Sequence, residues 1–308
     1  AGVTAPLVPM PKSLDRFASR NVALSLTAID EIRPDIAAAL ARYGADRVAV
    51  VAASSTSGIE RGEVALQHHM AHGAIPDQFD FLQQEIGSVG EALARYLECR
   101  GPALTISTAC SSGAKAFASA RRLLDLDLAD AVIVGAADSF CRLTVTGFYA
   151  LSALTASSCL PFSRNRNGTM LGEGAAFFLA TREPKAVLLA AVGESSDAYH
   201  PTAPHPEGEG ALAAMRAALA EATLTPADIR YINLHGTATV QNDAMESKAV
   251  KALFGESVPC SSSKAQIGHT LGAAGAIETG FCWLALTASD GDMRLPPHIW
   301  DGVADPDL

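Results

Sequence analysis

A chain of 308 residues can bury a large core and has room for two domains or one large α/β unit, with no disulfide or metal scaffold required. Its 49% hydrophobic content falls in short runs, none near the ~20 uninterrupted apolar residues that a membrane-spanning helix needs, so no membrane association is expected. A formal net charge of -10 argues against broad nucleic-acid binding, which rewards clustered Lys and Arg.

Arg121, Arg122, Arg164 and Arg166 are candidates for a local patch facing one acidic partner, or are ordinary solvated charges. The six cysteines, at 99, 110, 141, 159, 260 and 282, form no C-x-x-C pair and no tight ligand spacing, which argues against a zinc site and a secreted disulfide framework. A reducing cytoplasm is expected. The opening "AGVTAPLVPMPKSLDRF" lacks the basic-then-apolar order of a signal peptide, and its initial Ala suggests trimming.

Apolar periodicity predicts a helix over 30–42, and the β-branched run "DRVAVVAA" (46–53) predicts a buried parallel strand followed by the polar loop "SSTSG". A helix near 85–99, a strand at "ALTIST" (103–108), a helix over about 111–126 and a strand at "ADAVIVGAAD" (129–138) follow. After the break "TREPKA" (181–186) the order partly repeats: helix "ALAAMRAALAEA" (211–222), strand "RYINL" (230–234), polar loop "HGTATVQND" (235–243). "VPCSSSKAQIGHTLGAAGAIETGFCWLAL" (258–286) then mirrors "ALTISTACSSGAKAFASARRLL": strand, small polar loop, helix rich in Ala and Gly. Two similar α/β halves are predicted, residues 1–182 and 183–308, with sites at the carboxyl ends of parallel strands.

Cys110 in "TACSSG" lies between a strand and a helix start, where orphan N–H groups and the helix dipole favour a thiolate; the alternative is an inert packed thiol. His235 opens "HGTAT" at a strand's end, as a catalytic imidazole or a hydrogen-bonded structural one. In "SSSKAQIGHTLGAAGAIE", Lys264 and His269 fall in a loop of small residues with Glu278 on the helix behind, and no phosphate-loop order is present. The alternative there is a Gly/Ala packing segment with an incidental lysine.

Together "TACSSG", "PFSRNRNGTMLGEGAA", "SSDAYHPTAP", "HGTATVQND" and "SSKAQIGHTLGAAGAIE" resemble the β-ketoacyl-[acyl carrier protein] synthases of the elongating type, in family order across about residues 14–308. The resemblance implies a thiolase fold, two similar halves in a five-layered αβαβα core, usually dimeric. It implies Cys110 as acyl-accepting nucleophile, His235 and His269 as donors to the malonyl thioester carbonyl, Lys264 organising the histidines with Glu278 as its partner, and Asp243 in the supporting shell. Thr237 and Thr239 would face the phosphopantetheine arm. Two histidines, where a thiolase would replace one by cysteine, suit stabilisation of an enolate formed by malonyl decarboxylation.

The implied reaction needs no metal or redox cofactor, since phosphopantetheine arrives on the substrate's acyl carrier protein. A homodimer is expected, or a heterodimer. The family's opening strand and its closing "GFGGTN"-type loop, which supplies an oxyanion donor, have no counterpart here, and the expectation is that the working protein carries both. Segment 75–97 is a candidate pocket wall whose Gln83, Gln84 and Glu85 are expected to face solvent. Two other readings are a non-catalytic partner subunit that sets chain length, which would ordinarily lack the cysteine, and a cysteine hydrolase using Cys110 and His235, which leaves Lys264 and His269 unexplained.

Overall fold

The computed structural model describes residues 1–184, 187–288 and 294–308; within the "TREPKA" break, Lys185 and Ala186 lie outside them. In the first half α1 (Arg20–Glu31), α2 (Arg33–Tyr43), β1 (Val48–Ala53), α3 (Ile59–His72), α4 (Ser88–Leu97), β2 (Ala103–Ile106), α5 (Ser112–Asp125), β3 (Ala131–Asp138), α6 (Arg142–Ala150) and β4 (Gly174–Thr181) follow in order. In the second come α7 (Glu209–Ala222), β5 (Ile232–Asn233), α8 (Val240–Phe254), β6 (Cys260–Ser261), α9 (Lys264–Ile267) and α10 (Ala274–Thr287).

The larger sheet has the order β2-β1-β3-β4, parallel except for β4, which runs antiparallel to β3. β1 and β3 are buried along their whole length, as continuous Val, Ile and Ala runs require at the centre of a sheet covered on both faces. Side chains alternate between two cores. Val48, Val50 and Ala52 meet α1, α2 and α4, while Ala49, Val51 and Ala53 meet Ala116, Phe117 and Ala120 of α5.

That second core continues through Ala273 and Ala276 into the other half of the chain. α5 and α10 meet backbone to backbone there: a Cβ on Gly113 would lie 2.8 Å from Gly272 O, and one on Gly275 2.7 Å from Ala114 N. The Gly and Ala content of both segments is what permits this approach. β5 and β6 pair in parallel, each followed by a polar loop and then helix, as the repeated order predicts.

Several expectations need correction. The helix predicted over 30–42 is two, broken at Ile32 with Pro34 in the first turn of α2. α1 escapes the periodicity because Asn21 and Ser25 are fully buried on its inner face; Asn21 Nδ2 donates to Ser54 Oγ at 3.0 Å and to Ala137 O at 2.9 Å. The polar loop expected over 235–243 ends at Thr239, where α8 begins.

Gln83 does not face solvent: it is buried, its carboxamide donating to Gln78 O at 3.3 Å, and its carbonyl leaves no room for a side chain at Gly58; Gln84 and Glu85 are half-buried. Three of the four candidate patch arginines are committed within the chain. Arg121 pairs with Asp125 and Glu221, Arg122 with Glu194, and the buried Arg166 with Asp305. Arg164 is exposed.

Candidate active site

Cys110 sits in a tight turn between β2 and α5. Ala109, immediately before it, takes φ +52°, a left-handed conformation costing a non-glycine residue roughly 1–3 kcal/mol, and its surroundings hold it there. Ser112 Oγ donates to Ala109 O at 2.5 Å and accepts from Thr108 N at 2.8 Å, while Ser55 Oγ donates to Ala109 O at 3.2 Å.

His269 follows α9 through Gly268, whose φ of +73° disfavours a side chain and where a Cβ would stand 2.8 Å from Leu171 O. The His269 amide donates to Met170 O at 2.6 Å, and its carbonyl accepts from Gly172 N at 2.9 Å, so the first half of the chain fixes this loop. The ring is almost wholly buried, with Phe148 edge-on at 6.1 Å between centroids. Its Nε2 lies 3.0 Å from Cys110 Sγ.

His235 leaves the end of β5 with its amide and that of Gly236 donating to the Glu246 carboxylate of α8, at 2.6 and 2.7 Å. Its ring stands 5.1 Å from that of His269, at 86°. The sulfur and two imidazoles thus converge within 4.8 Å.

Lys264 opens the one-turn helix α9 instead of lying in a loop, is fully buried, and places Nζ 2.5 Å from Glu278 Oε1 on α10. Asp243 is buried in the first turn of α8, accepting from Phe162 N at 2.7 Å and Ala238 N at 3.2 Å. Thr237 and Thr239 hydrogen-bond to each other at 2.9 Å, in the loop between His235 and α8.

Burial pushes the Cys110 thiol up to about 11, with the Lys264 ammonium pulling the other way and the Asp138 carboxylate adding to the rise. Burial, then Lys264, takes His269 down to about 3; burial, Lys264 and His269 hold His235 well below the ordinary imidazole value. The expectation of a thiolate at the helix start is therefore overturned: desolvation of the sulfur wins, and the resting pair is thiol and neutral imidazole. Glu246 is pushed up to about 7 by burial, opposed by the two amides it accepts. Burial also raises Asp243 and Glu278, the latter against Lys264.

Of the eight residues singled out from the sequence, the structure brings Cys110, His235 and His269 together with the Lys264–Glu278 pair acting on them, while Asp243, Thr237 and Thr239 lie on the segment that follows His235. Three were missed. Glu246 lies one turn beyond Asp243 on the same helix face, a spacing that could have found it. Asp138, a carboxylate ending a fully apolar strand, carried a comparable signal; Phe148 carried none. Among the described residues, Cys110, His235 and His269 also form the one cluster of three donors spaced to hold a metal ion, though the Lys264 ammonium acting on all three opposes a dication.

Residues 12–186 match the beta-ketoacyl synthase N-terminal domain and residues 186–293 its C-terminal domain. The chain belongs to the beta-ketoacyl synthase family. It is 32% identical over 314 residues to 3-oxoacyl-[acyl-carrier-protein] synthase 2 of Staphylococcus aureus, covering 96% of this chain and 76% of the relative. It superposes with a TM-score of 0.93 and 46% identity on a chain in the structure of the ketosynthase ApeO in complex with its chain length factor ApeC from Xenorhabdus doucetiae, covering 98% of this chain and 76% of that one. A beta-ketoacyl synthase from Burkholderia phymatum STM815 gives a TM-score of 0.84 at 26% identity, over 93% and 73% of the two chains.

The fold is the thiolase fold that the motifs implied. Among the described residues no helix of this chain is long and apolar enough to cross a membrane.

Proposed function

We propose that the chain catalyses decarboxylating Claisen condensation of an acyl group held on Cys110 with malonyl-[acyl carrier protein], giving a 3-oxoacyl chain two carbons longer than that acyl group. The observation that carries this reading is the approach of one sulfur and two neutral imidazoles within 4.8 Å, with Sγ 3.0 Å from His269 Nε2.

Cys110 Sγ attacks the carrier thioester; its proton passes through His269 Nε2 to the departing phosphopantetheine thiolate, leaving an acyl-enzyme. Malonyl carrier then loses carbon dioxide. The enolate oxygen receives one N–H donor from His235 and one from His269, whose single proton moves from Nδ1 to Nε2 between the two steps, burial and Lys264 keeping both rings neutral. The enolate carbon attacks the acyl-enzyme carbonyl, its C–S bond breaks, and the expelled Cys110 thiolate takes up one proton from solvent, balancing the carboxylate lost as carbon dioxide. Lys264 and Glu278 fix the charge around the sulfur and imidazoles, Asp243 ties the His235 loop to Phe162, and Thr237 and Thr239 face the phosphopantetheine arm. The cycle uses no metal or redox cofactor.

The name of the S. aureus relative supports an acyl carrier protein as partner, and the ApeO–ApeC complex supports a heterodimer with a chain length factor as an alternative to a homodimer; the setting proposed is fatty acid, polyketide or polyene synthesis. Six free cysteines support a reducing cytoplasm. The presence of Cys110 favours the catalytic subunit over a chain-length-setting partner.

Intact-protein mass spectrometry with acyl carrier thioesters tests the assignment. Wild type should gain one acyl mass and Cys110→Ala none. His235→Ala should still acylate while losing malonyl decarboxylation by roughly 100-fold, the scale of one lost oxyanion donor. An adduct on Cys110→Ala refutes the nucleophile, and equal loss of both steps refutes the enolate role.

A further inference from the structure

We infer that Asp138 is a positioning residue that couples the Cys110 turn to the His269 loop and so sets the separation of sulfur and imidazole; its bearing on catalysis rests on the condensation reading above. Asp138 ends β3 with its side chain fully buried. One oxygen, Oδ1, accepts from Ser54 Oγ and Thr56 Oγ1, both at 2.6 Å, from Thr56 N at 2.9 Å and Ser55 N at 3.0 Å. The other, Oδ2, accepts from Ser55 N at 3.0 Å and from Gly272 N at 2.6 Å. All these donors are uncharged, and a carboxylate, which only accepts, suits such a set.

Two of these contacts lead to the reacting groups. Ser55, held by its amide, turns its hydroxyl onto Ala109 O, the carbonyl of the left-handed residue before Cys110. Gly272 lies three residues after His269 in the other half of the chain, and it has to be glycine: a Cβ there would stand 2.5 Å from Ser55 Oγ and 2.7 Å from Asp138 Oδ2. A single carboxylate thus spans the junction between halves, two hydrogen bonds, through Ser55, from the turn that aims the sulfur and one from the loop that aims the ring. Its charge also acts on the thiol: of the groups facing Cys110, the Asp138 and Glu278 carboxylates raise its pKa and Lys264 lowers it. Neither effect follows from a purely structural hydrogen-bond hub far from the sulfur.

Asp138→Asn keeps the volume but turns an NH2 toward N–H or O–H donors on one side. The variant should stay folded by circular dichroism, acylate Cys110 roughly 10- to 100-fold more slowly, as a displacement of about 1 Å would produce, and shift the pH midpoint of Cys110 alkylation by iodoacetamide downward. In a His269→Ala background the same substitution should slow acylation by less than about threefold, because the separation it disturbs no longer matters. Equal factors in both backgrounds, or an unmoved alkylation midpoint, overturn the inference. If Asp138→Asn does not fold, Ser55→Ala carries the acylation cycle with the same two outcomes. A wild type that alkylates but never acylates refutes the condensation reading instead, and the alkylation midpoint still decides whether Asp138 acts on the sulfur.

Discussion

Lys264→Met removes the cation at the centre of the site and leaves Glu278 alone. The pair is 2.5 Å apart, and the lysine side chain is fully buried. At an effective dielectric of about 20 the gross attraction is roughly 7 kcal/mol, most of it offset by desolvation, yet removing one partner strands the other and costs about 3–5 kcal/mol. The loss should depend on pH. Burial already raises Glu278 and Lys264 is what opposes the rise, so without the lysine its folded pKa climbs further above the unfolded value.

A carboxylate with a raised folded pKa binds its proton more tightly in the native state, so its contribution to stability falls as pH increases toward that folded pKa. Guanidinium denaturation at fixed protein concentration should therefore show the variant losing most at pH 8 and least near pH 5, with Lys264→Met/Glu278→Met recovering much of the deficit at pH 8. Lys264 also pulls the Cys110 thiol down, so alkylation of Cys110 at neutral pH should slow in the single variant. A loss below about 1 kcal/mol at pH 8, or a double variant as unstable as the single one, would refute the buried-pair account.

Gly113→Ala should destabilise the protein by about 1–3 kcal/mol and slow acylation, because its Cβ meets Gly272 O and Ala276 N at 2.8 Å, both backbone atoms that yield only if α5 and α10 separate; thermal denaturation and adduct formation measure the two effects. For Glu246→Gln, the wild-type-minus-variant stability should fall as pH rises from about 4.5 to about 7 and stay flat above, since burial raises the folded carboxylate and the glutamine does not titrate; a difference that rises across that window contradicts the assigned sign.

The central strands were legible because burial on both faces leaves a chemical trace: "VAVVAA" and "AVIVGAAD" have no polar residue until the strand ends. α1 was not, because its inner face carries Asn21, whose polarity is matched by partners far along the chain, and Ser25, which donates back to Asn21 O one turn earlier. No window of local sequence contains Ser54 and Ala137 together with Asn21. β4 was missed for a related reason. It is the antiparallel edge of the sheet, half-buried along most of "GAAFFLAT", and shows neither strict alternation nor a continuous β-branched run.

The site divides along the same line between local and long-range information. Strand-to-helix junctions marked Cys110 and His235 as residues at carboxyl ends of parallel strands, His269 stood out in the small-residue segment that follows β6 and α9, and their motif contexts supplied the roles. Their protonation was not legible, because helix position speaks only for the dipole, while the desolvation that pushes Cys110 to about 11 depends on what encloses the sulfur. Burial raises the Cys110 thiol and lowers the His269 imidazole, so both rest neutral and the sulfur must give up its proton to a neighbour already in contact. The 3.0 Å Sγ–Nε2 separation is therefore the quantity the fold has to hold, and it is held across the boundary between halves by close glycine contacts and by the bonds that Asp138 and residues 170–172 make to the His269 loop.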